Sequence, residues 1–476
     1  MEASGHKYMH IRNTILEEIN SGVYKPGDLI PSDNVLMKRF SVSKSTITQA
    51  LKLLAQEGVI DRIQGKGSFV SGMRPAKVLK FYLCPVEHDE EEYWSRLVDG
   101  FNSQNSTFKV EISFIYNDQV PLRDTLFRAF ASGNAPDIFS LDGPDMPYWA
   151  YMKSILPLDK YLSPDYLERF IPTITSQGTY RGHLYHLGYY ESTLCLLFNK
   201  ELFARLGIKA PERTEDAWTW EEFMEVCRQI REQAGIAHPL LMDTGRGLDK
   251  KQGEWICYSV LSFIAQNGGS IFDDTLTKTS GHIDSAETVE AVEWFAGLLK
   301  DSGYSHTTDL TGAFPEDFAM SLSVSSAFFA LDAASRKRVG LIPLPRQHHS
   351  AAAHGGWGLC VASQTKHPKE CVAFLKYVFS LENQLQYAKY AGLPILKDVF
   401  NILQSFNESS SYVDILFSQL QNCAFTRPVT PAYPFFSRTF VSEFLNIVAG
   451  ANAAERLHFA AEQIDDHIVR HNYFSK

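Results

Sequence analysis

Residues 8–71 constrain this chain more than any other stretch, because helix faces, turn signals and a glycine-flanked lysine follow one another there without a gap. Ile11, Ile15, Leu16 and Ile19 recur at helical spacing and make one apolar face. Gly22 and Pro26-Gly27 then end that helix. Pro31-Ser32 opens a second helix with Ser32 as N-cap, and Val42-Ser43 opens a third. On the third, Ile47, Ala50, Leu51 and Leu54 face inward, leaving Lys44, Ser45, Thr48 and Gln49 outward. Two short extended runs flank Gly65-Lys66-Gly67 and read as a hairpin wing. Three helices and a wing, with Lys, Ser and Thr at the start of the third helix, are the means by which a small domain sets a helix in the DNA major groove.

Pro26-Gly27, Pro31-Ser32, Val42-Ser43, Thr46, Leu53…Glu57-Gly58 and Gln64-Gly65-Lys66-Gly67…Phe69-Val70 stand in order and at the spacing of one family. The segment resembles the GntR-type winged helix-turn-helix. The resemblance implies major-groove contacts from Lys44, Ser45, Thr46 and Thr48, with Asn34 and Gln49 beside them, and a minor-groove approach by Gln64, Gly65 and Lys66. The family often has Arg where this chain has Asn34, Lys44 and Thr48. Lys is a point charge without the bidentate fork of Arg, so a different base preference is expected.

At 476 residues the chain is too long for such a unit alone. The net charge of −10 is unevenly spread. Residues 1–75 hold 10 Lys+Arg against 7 Asp+Glu, a net of +3, so the remainder carries −13. Only the N-terminal part can be drawn to phosphate. The first residues run straight into an amphipathic helix with no apolar core of the length export requires, and no stretch reaches about 18 consecutive apolar residues. A cytoplasmic location is therefore expected. The seven cysteines lie singly, with no Cys-x-x-Cys pair, and read as reduced, small apolar residues.

These features divide the chain into a winged helix at 1–71, a short linker at 72–76, and a large domain at 77–476. So short a linker cannot act as a free tether. From 77 onward strands and helices alternate. Strands are expected at 77–83, 109–115 and 135–142, with helices at 93–101 and about 120–132. That alternation defines an α/β domain, whose ligands sit beyond the carboxyl ends of the strands.

Four landmarks carry a second resemblance: the run 135–162; Tyr180-Arg181-Gly182 through Trp218-Thr219-Trp220-Glu221-Glu222-Phe223; Gly268-Gly269-Ser270-Ile271-Phe272; and Gly355-Gly356-Trp357-Gly358-Leu359 with His367-Pro368 after it. In this order they resemble extracellular solute-binding proteins of the maltose-binding, periplasmic-binding-protein type 2 kind. The resemblance implies two α/β lobes joined by crossing hinge strands and closing on a ligand.

Sugars need aromatic platforms with carboxylates, amides or arginines around them. The candidates are Asp142, Asp145, Tyr189, Tyr190, Glu191, Trp255, Trp357, Tyr433 and Phe435. Trp357, Trp255 and Glu191 could equally serve cleft or core, and helix N-capping competes for Asp142 and Asp145. Trp94 and Trp294 read as core, and Trp220 as a packing residue behind a Thr219–Glu222 capping box. Relatives often carry Gly and then Trp after the equivalent of Ala319-Met320. Here the run is Ser321 to Phe328, so the ligand is smaller or bound differently.

Enzymes fare worse. GntR-type units also occur fused to aminotransferase-like domains, but the nearest Ser-Lys match is Ser475-Lys476 at the end of the chain. His348, His349 and His354 lack acidic or cysteine companions at metal-ligand spacing and read as loop residues. No nucleophile–base pair and no cofactor is expected. The expected protein is a homodimeric, cytoplasmic DNA-binding regulator, not an enzyme, that meets a pseudo-palindromic operator and is controlled by a small ligand of carbohydrate type. An uptake-type solute-binding protein and the aminotransferase fusion are the alternatives.

Overall fold

The computed structural model describes residues 2–63, 65–71, 77–86, 90–105, 107–116, 122–243, 253–301, 303–305, 319–391, 393–405 and 410–474. Two compact units emerge: residues 1–78 with 105–109, and residues 79–104 with 110–476. The expected linker 72–76 lies outside the described residues.

In the first unit α1 (Glu2–Asn20), α2 (Asp33–Phe40) and α3 (Lys44–Gln56) pack around Ile11, Ile15, Leu36, Ile47, Leu51 and Leu54. The apolar faces read from spacing are thus the faces buried. Ser32 stands at the N-cap of α2, but its side chain makes no capping bond. The wing is β2 (Ile60–Ile63) against β3 (Gly67–Val70), and β1 (Leu29–Ile30) adds a third antiparallel strand along β3. Two residues carry no periodicity, so β1 had no signature in the sequence; burial of Ile30 in the core places it. Gly67 has φ +113°, and a side chain there would meet Leu29 at 2.8 Å. Arg12 grips Glu57 with two nitrogens (Nε and Nη2), joining α1 to the end of α3.

Among the described residues the second unit has two large sheets and a two-stranded one, Thr179–Tyr180 against His183–Leu184. Lobe one holds β4 (Lys77–Leu83), β5 (Phe108–Phe114) and β6 (Ile138–Asp142), with helices Glu90–Gln104 and Leu122–Ala131 between them. Its sheet runs β5, β4, β6, then strands Trp357–Val361 and Leu187–Gly188. Lobe two centres on strand Ser192–Asn199, flanked by Met320–Val324 and Ala352–Gly355, with Leu240–Asp243, Gly303–Ser305 and Ala424–Thr426 outside them. Trp220, on the helix Trp220–Ala234, is buried there and stacks on Trp294 at 4.2 Å, behind a complete Thr219–Glu222 capping box. Trp94 is buried in lobe one.

Two of the chain's crossings between the lobes are neighbours. The chain leaves the lobe-one sheet at Gly188 and enters the lobe-two sheet at Ser192. It returns from Gly355 to Trp357. Ser192 pairs with Gly355 and Gly188 with Gly358, so the crossings lie side by side and antiparallel. Gly356 is forced by this approach: a Cβ there would come within 2.2 Å of the Tyr190 carbonyl oxygen. The Gly355-Gly356-Trp357-Gly358 motif is therefore the packing requirement of a hinge.

Candidate functional site

β6 ends where lobe one meets lobe two, which brings Asp142 to the boundary between them. Strand pairing sets Trp357 opposite Asp142, half-buried against the lobe-one core. Asp142 and Asp145 both occupy N-cap positions, of the short helices Gly143–Asp145 and Met146–Tyr151, yet neither side chain caps. Arginines hold them instead. Arg427, from the loop after Ala424–Thr426, reaches Asp142 through Nη2 at 2.8 Å and Nη1 at 3.2 Å. The same Nη1 lies 2.8 Å from Glu254 Oε1, at the start of the lobe-two helix Gly253–Gln266. Tyr433 donates its hydroxyl to Glu254, and the Arg427 guanidinium sits 5.0 Å over the Tyr258 ring. Arg123 pairs with Asp145 in the same fork-like way.

This cluster is enclosed enough to change its own titration. Burial pushes the Asp145 carboxyl up against the pull of Arg123. Glu254 is half-buried by surface, but the protein walls crowding its carboxyl raise it too, opposed by Arg427 and reinforced by Asp142. Burial works against the Arg427 charge, yet Asp142, Tyr433 and Glu254 hold its pKa well above the ordinary arginine value. The cluster sets forked donors against paired acceptors, groups that can hydrogen-bond hydroxyls.

The other candidates divide. Tyr190 lies buried at the crossing, its amide hydrogen-bonded to the Trp357 carbonyl at 3.1 Å. Glu191, wholly buried in the hinge, accepts from the Ser192 amide at 3.0 Å. Its Oε2 stands 3.4 Å from His354 Nδ1, and neither atom has a hydrogen-bond partner. Tyr189 points the other way, into the lobe-one core, edge-on to Trp94 at 5.0 Å. Tyr433 is fully buried at the first turn of helix Tyr433–Val448, so it offers its hydroxyl and no open ring face. Phe435 stacks on His467 of the C-terminal helix at 3.9 Å. Trp255 is half-buried against the lobe-two core, one residue from Glu254. The structure therefore brings Asp142, Asp145, Trp357 and Tyr433 together and keeps Tyr189 and Phe435 apart from them.

His354 corrects the loop-histidine reading: it is a buried strand residue whose Nε2 meets Thr426 Oγ1 at 2.9 Å. Among the described residues no group of three or more His, Cys, Asp or Glu could hold a metal, and no helix is long and apolar enough to cross a membrane. Sequence reasoning missed Arg427, Arg123 and Glu254. Glu254 precedes a tryptophan already singled out, and Arg427 opens the proline-rich turn Pro428–Pro434, but a lone charge beside a turn reads as solvated.

On the first unit, Lys44, Ser45, Thr48, Gln49 and Lys52 share the outer side of α3, while Thr46 is half-buried at its start. Ser43 Oγ lies 2.9 Å from both Ser45 Oγ and Thr46 Oγ1, ordering the hydroxyls at the helix start. Asn34 lines the groove next to them with Lys7 and Lys38. Gly65 and exposed Lys66 form the wing tip, with Gly65 at φ +78°. Gln64 lies outside the described residues.

A winged helix with a clear outer face, and a two-lobe α/β fold hinged by paired crossings, define a solute-binding fold carrying a DNA-binding unit. The chain belongs to the bacterial extracellular solute-binding protein family, whose model matches residues 96–408. The bacterial regulatory protein gntR family matches residues 7–70. The chain is 25% identical over 189 residues to a maltotriose-binding protein of Pyrococcus abyssi, covering 39% of this chain and 36% of that one. It is 40% identical over 72 residues to the mannosyl-D-glycerate transport/metabolism system repressor MngR of Escherichia coli, covering 15% and 30%. The chain thus spans about a third of the length of these curated relatives. Among solved structures, a solute-binding protein of Thermotoga lettingae bound with alpha-D-tagatose superposes with TM-score 0.70 at 20% identity, covering 83% of this chain and all of that one. A cyclic alpha-maltosyl-1,6-maltose binding protein of Arthrobacter globiformis gives 0.67 at 20%, covering 83% and 100%. These two likenesses establish the fold.

Proposed function

We propose that this chain is a ligand-responsive transcription regulator: the winged helix binds operator DNA, and the two-lobe fold senses a sugar or oligosaccharide. The observation that carries the reading is the presence on one chain of an exposed recognition face and a hinged cleft of forked arginines and carboxylates beside Trp357. Relatives whose names state sugar-related repression on one side and maltotriose binding on the other support the same pairing. The protein acts in the cytoplasm, by binding and without catalysis. It meets a pseudo-palindromic operator as a homodimer, since one winged helix reads one half-site. Lobe closure disfavours the DNA-competent arrangement, which makes the ligand an inducer.

The test is a thermal-shift screen of the full chain against mono- and oligosaccharides, followed by DNA binding with and without each hit. A ligand binding only the native state raises its melting point by mass action. A sugar that shifts melting and changes operator affinity supports the reading; binding of sugar without any effect on DNA would leave only a solute-binding protein.

A further inference from the structure

The Arg427 side chain is divided between the lobes. Glu254 and the Tyr258 ring hold it from lobe two, both on the helix Gly253–Gln266. Asp142, at the end of the lobe-one strand β6, takes both of its terminal nitrogens. Only 5% of the Arg427 side chain and 19% of the Asp142 side chain are exposed. The guanidinium also lies against the hinge: a Cβ on Gly355 would stand 3.1 Å from Nη2. Gly355 has φ +138° at one of the paired crossings, so the latch and the pivot are neighbours. Moving the lobes apart about that pivot separates Asp142 from Arg427, while Arg427, Glu254 and Tyr258 travel together.

We propose that Arg427 is an interlobe latch, an internal competitor for Asp142 that holds the two lobes together and must give up that carboxylate whenever the cleft opens or a ligand takes the Asp142 oxygens. It rests on the reading of the fold as a hinged binding domain, and it adds a residue that controls the opening. A guanidinium presents a planar fork matched to a carboxylate, so the pair fixes orientation as well as distance. Removing Arg427 leaves Asp142 enclosed without that partner, and removing Asp142 leaves Arg427 held by Glu254 of lobe two alone, so either change removes the interlobe pair and favours the open arrangement.

The latch is tested without ligand or DNA, so its failure is separate from failure of the regulatory reading. Spin labels are placed on Lys369→Cys in lobe one and Gln233→Cys in lobe two of the full chain, both exposed positions, in a Cys423→Ser background. Interlobe distances are read by pulsed electron resonance. The parent should give a short-distance, latched population beside an open one, since ligand-driven closure requires an open form to act on. Arg427→Met should deplete the short-distance population. Arg427→Lys, which keeps the charge and loses the fork, should fall between. Asp142→Asn, nearly isosteric and uncharged, should open the lobes as Arg427→Met does, and it serves if the methionine variant does not fold. Combining the two should add nothing further. A parent with no short-distance population, or unchanged distributions in a folded Asp142→Asn or Arg427→Met protein, would overturn the latch.

Discussion

A single buried imidazole shows how residue chemistry becomes a property of the fold. His186 is fully buried, its Nε2 donates to the Leu141 carbonyl at 3.1 Å, and its Nδ1 has no partner. A second proton would put a charge on a nitrogen with nothing to accept from it, and burial lowers the pKa from 6.5 to about 4. The unfolded chain then binds more protons than the native one between those values. Stability from this residue is complete above about pH 6.5 and is lost as pH falls towards 4, at most about 3 kcal/mol. His186→Gln, which keeps a donor and removes the titration, should flatten that part of the profile in melting curves taken between pH 4 and 7. An unchanged slope would show that other groups carry it. The same nitrogens explain Gly358, where a Cβ would lie 2.4 Å from the ring.

Elements transmit such local chemistry through their ends and faces. The Thr219–Glu222 capping box sets the start of helix Trp220–Ala234 and hence the seat of Trp220. Thr219→Ala should cost about 1 kcal/mol and lower the lobe's melting temperature by roughly 2 °C in calorimetry. On the first unit, Lys44 stands at the start of α3 and Lys66 at the wing tip, both exposed. If α3 enters the major groove, Lys44→Ala weakens binding by about 1 kcal/mol or more and changes base preference. If Lys66 meets phosphate, Lys66→Ala weakens binding to all sequences alike and reduces the salt slope by about one unit. Titrations at several salt concentrations separate the two effects; parent-like binding by both variants would dismiss this docking.

For the whole molecule the decisive quantity is coupling. A ligand that favours one lobe arrangement by about 1–3 kcal/mol changes DNA affinity 5–150-fold. Reciprocity then requires operator DNA to change ligand affinity by the same factor. Calorimetry of the sugar identified by screening, with and without operator, should give two different affinities, and equal values would mean that the units act independently. Light scattering of the protein–DNA complex should give two chains per operator with half-sites about one helical turn, or a multiple, apart. A one-to-one complex would exclude the dimeric mode.

The sequence by itself determined what depends on near neighbours. Period-3.6 apolar faces predicted the three N-terminal helices and their core, turn glycines the wing, and strand–helix alternation the lobes. The order of four motifs pointed to a hinged pair. Asp142 and Trp357 were legible because one ends a strand and the other begins one, and Asp145 because it follows that strand end by three residues. What only the tertiary structure decided are relations between distant segments. Arg427 meets Asp142 across 285 positions and Glu254 across 173. Tyr189 and Tyr190 are adjacent in the chain, yet Tyr189 packs edge-on to Trp94 in the lobe-one core and Tyr190 lies buried at the crossing. No local pattern records which charge a fold will set opposite another, since that choice is made by the packing of whole lobes.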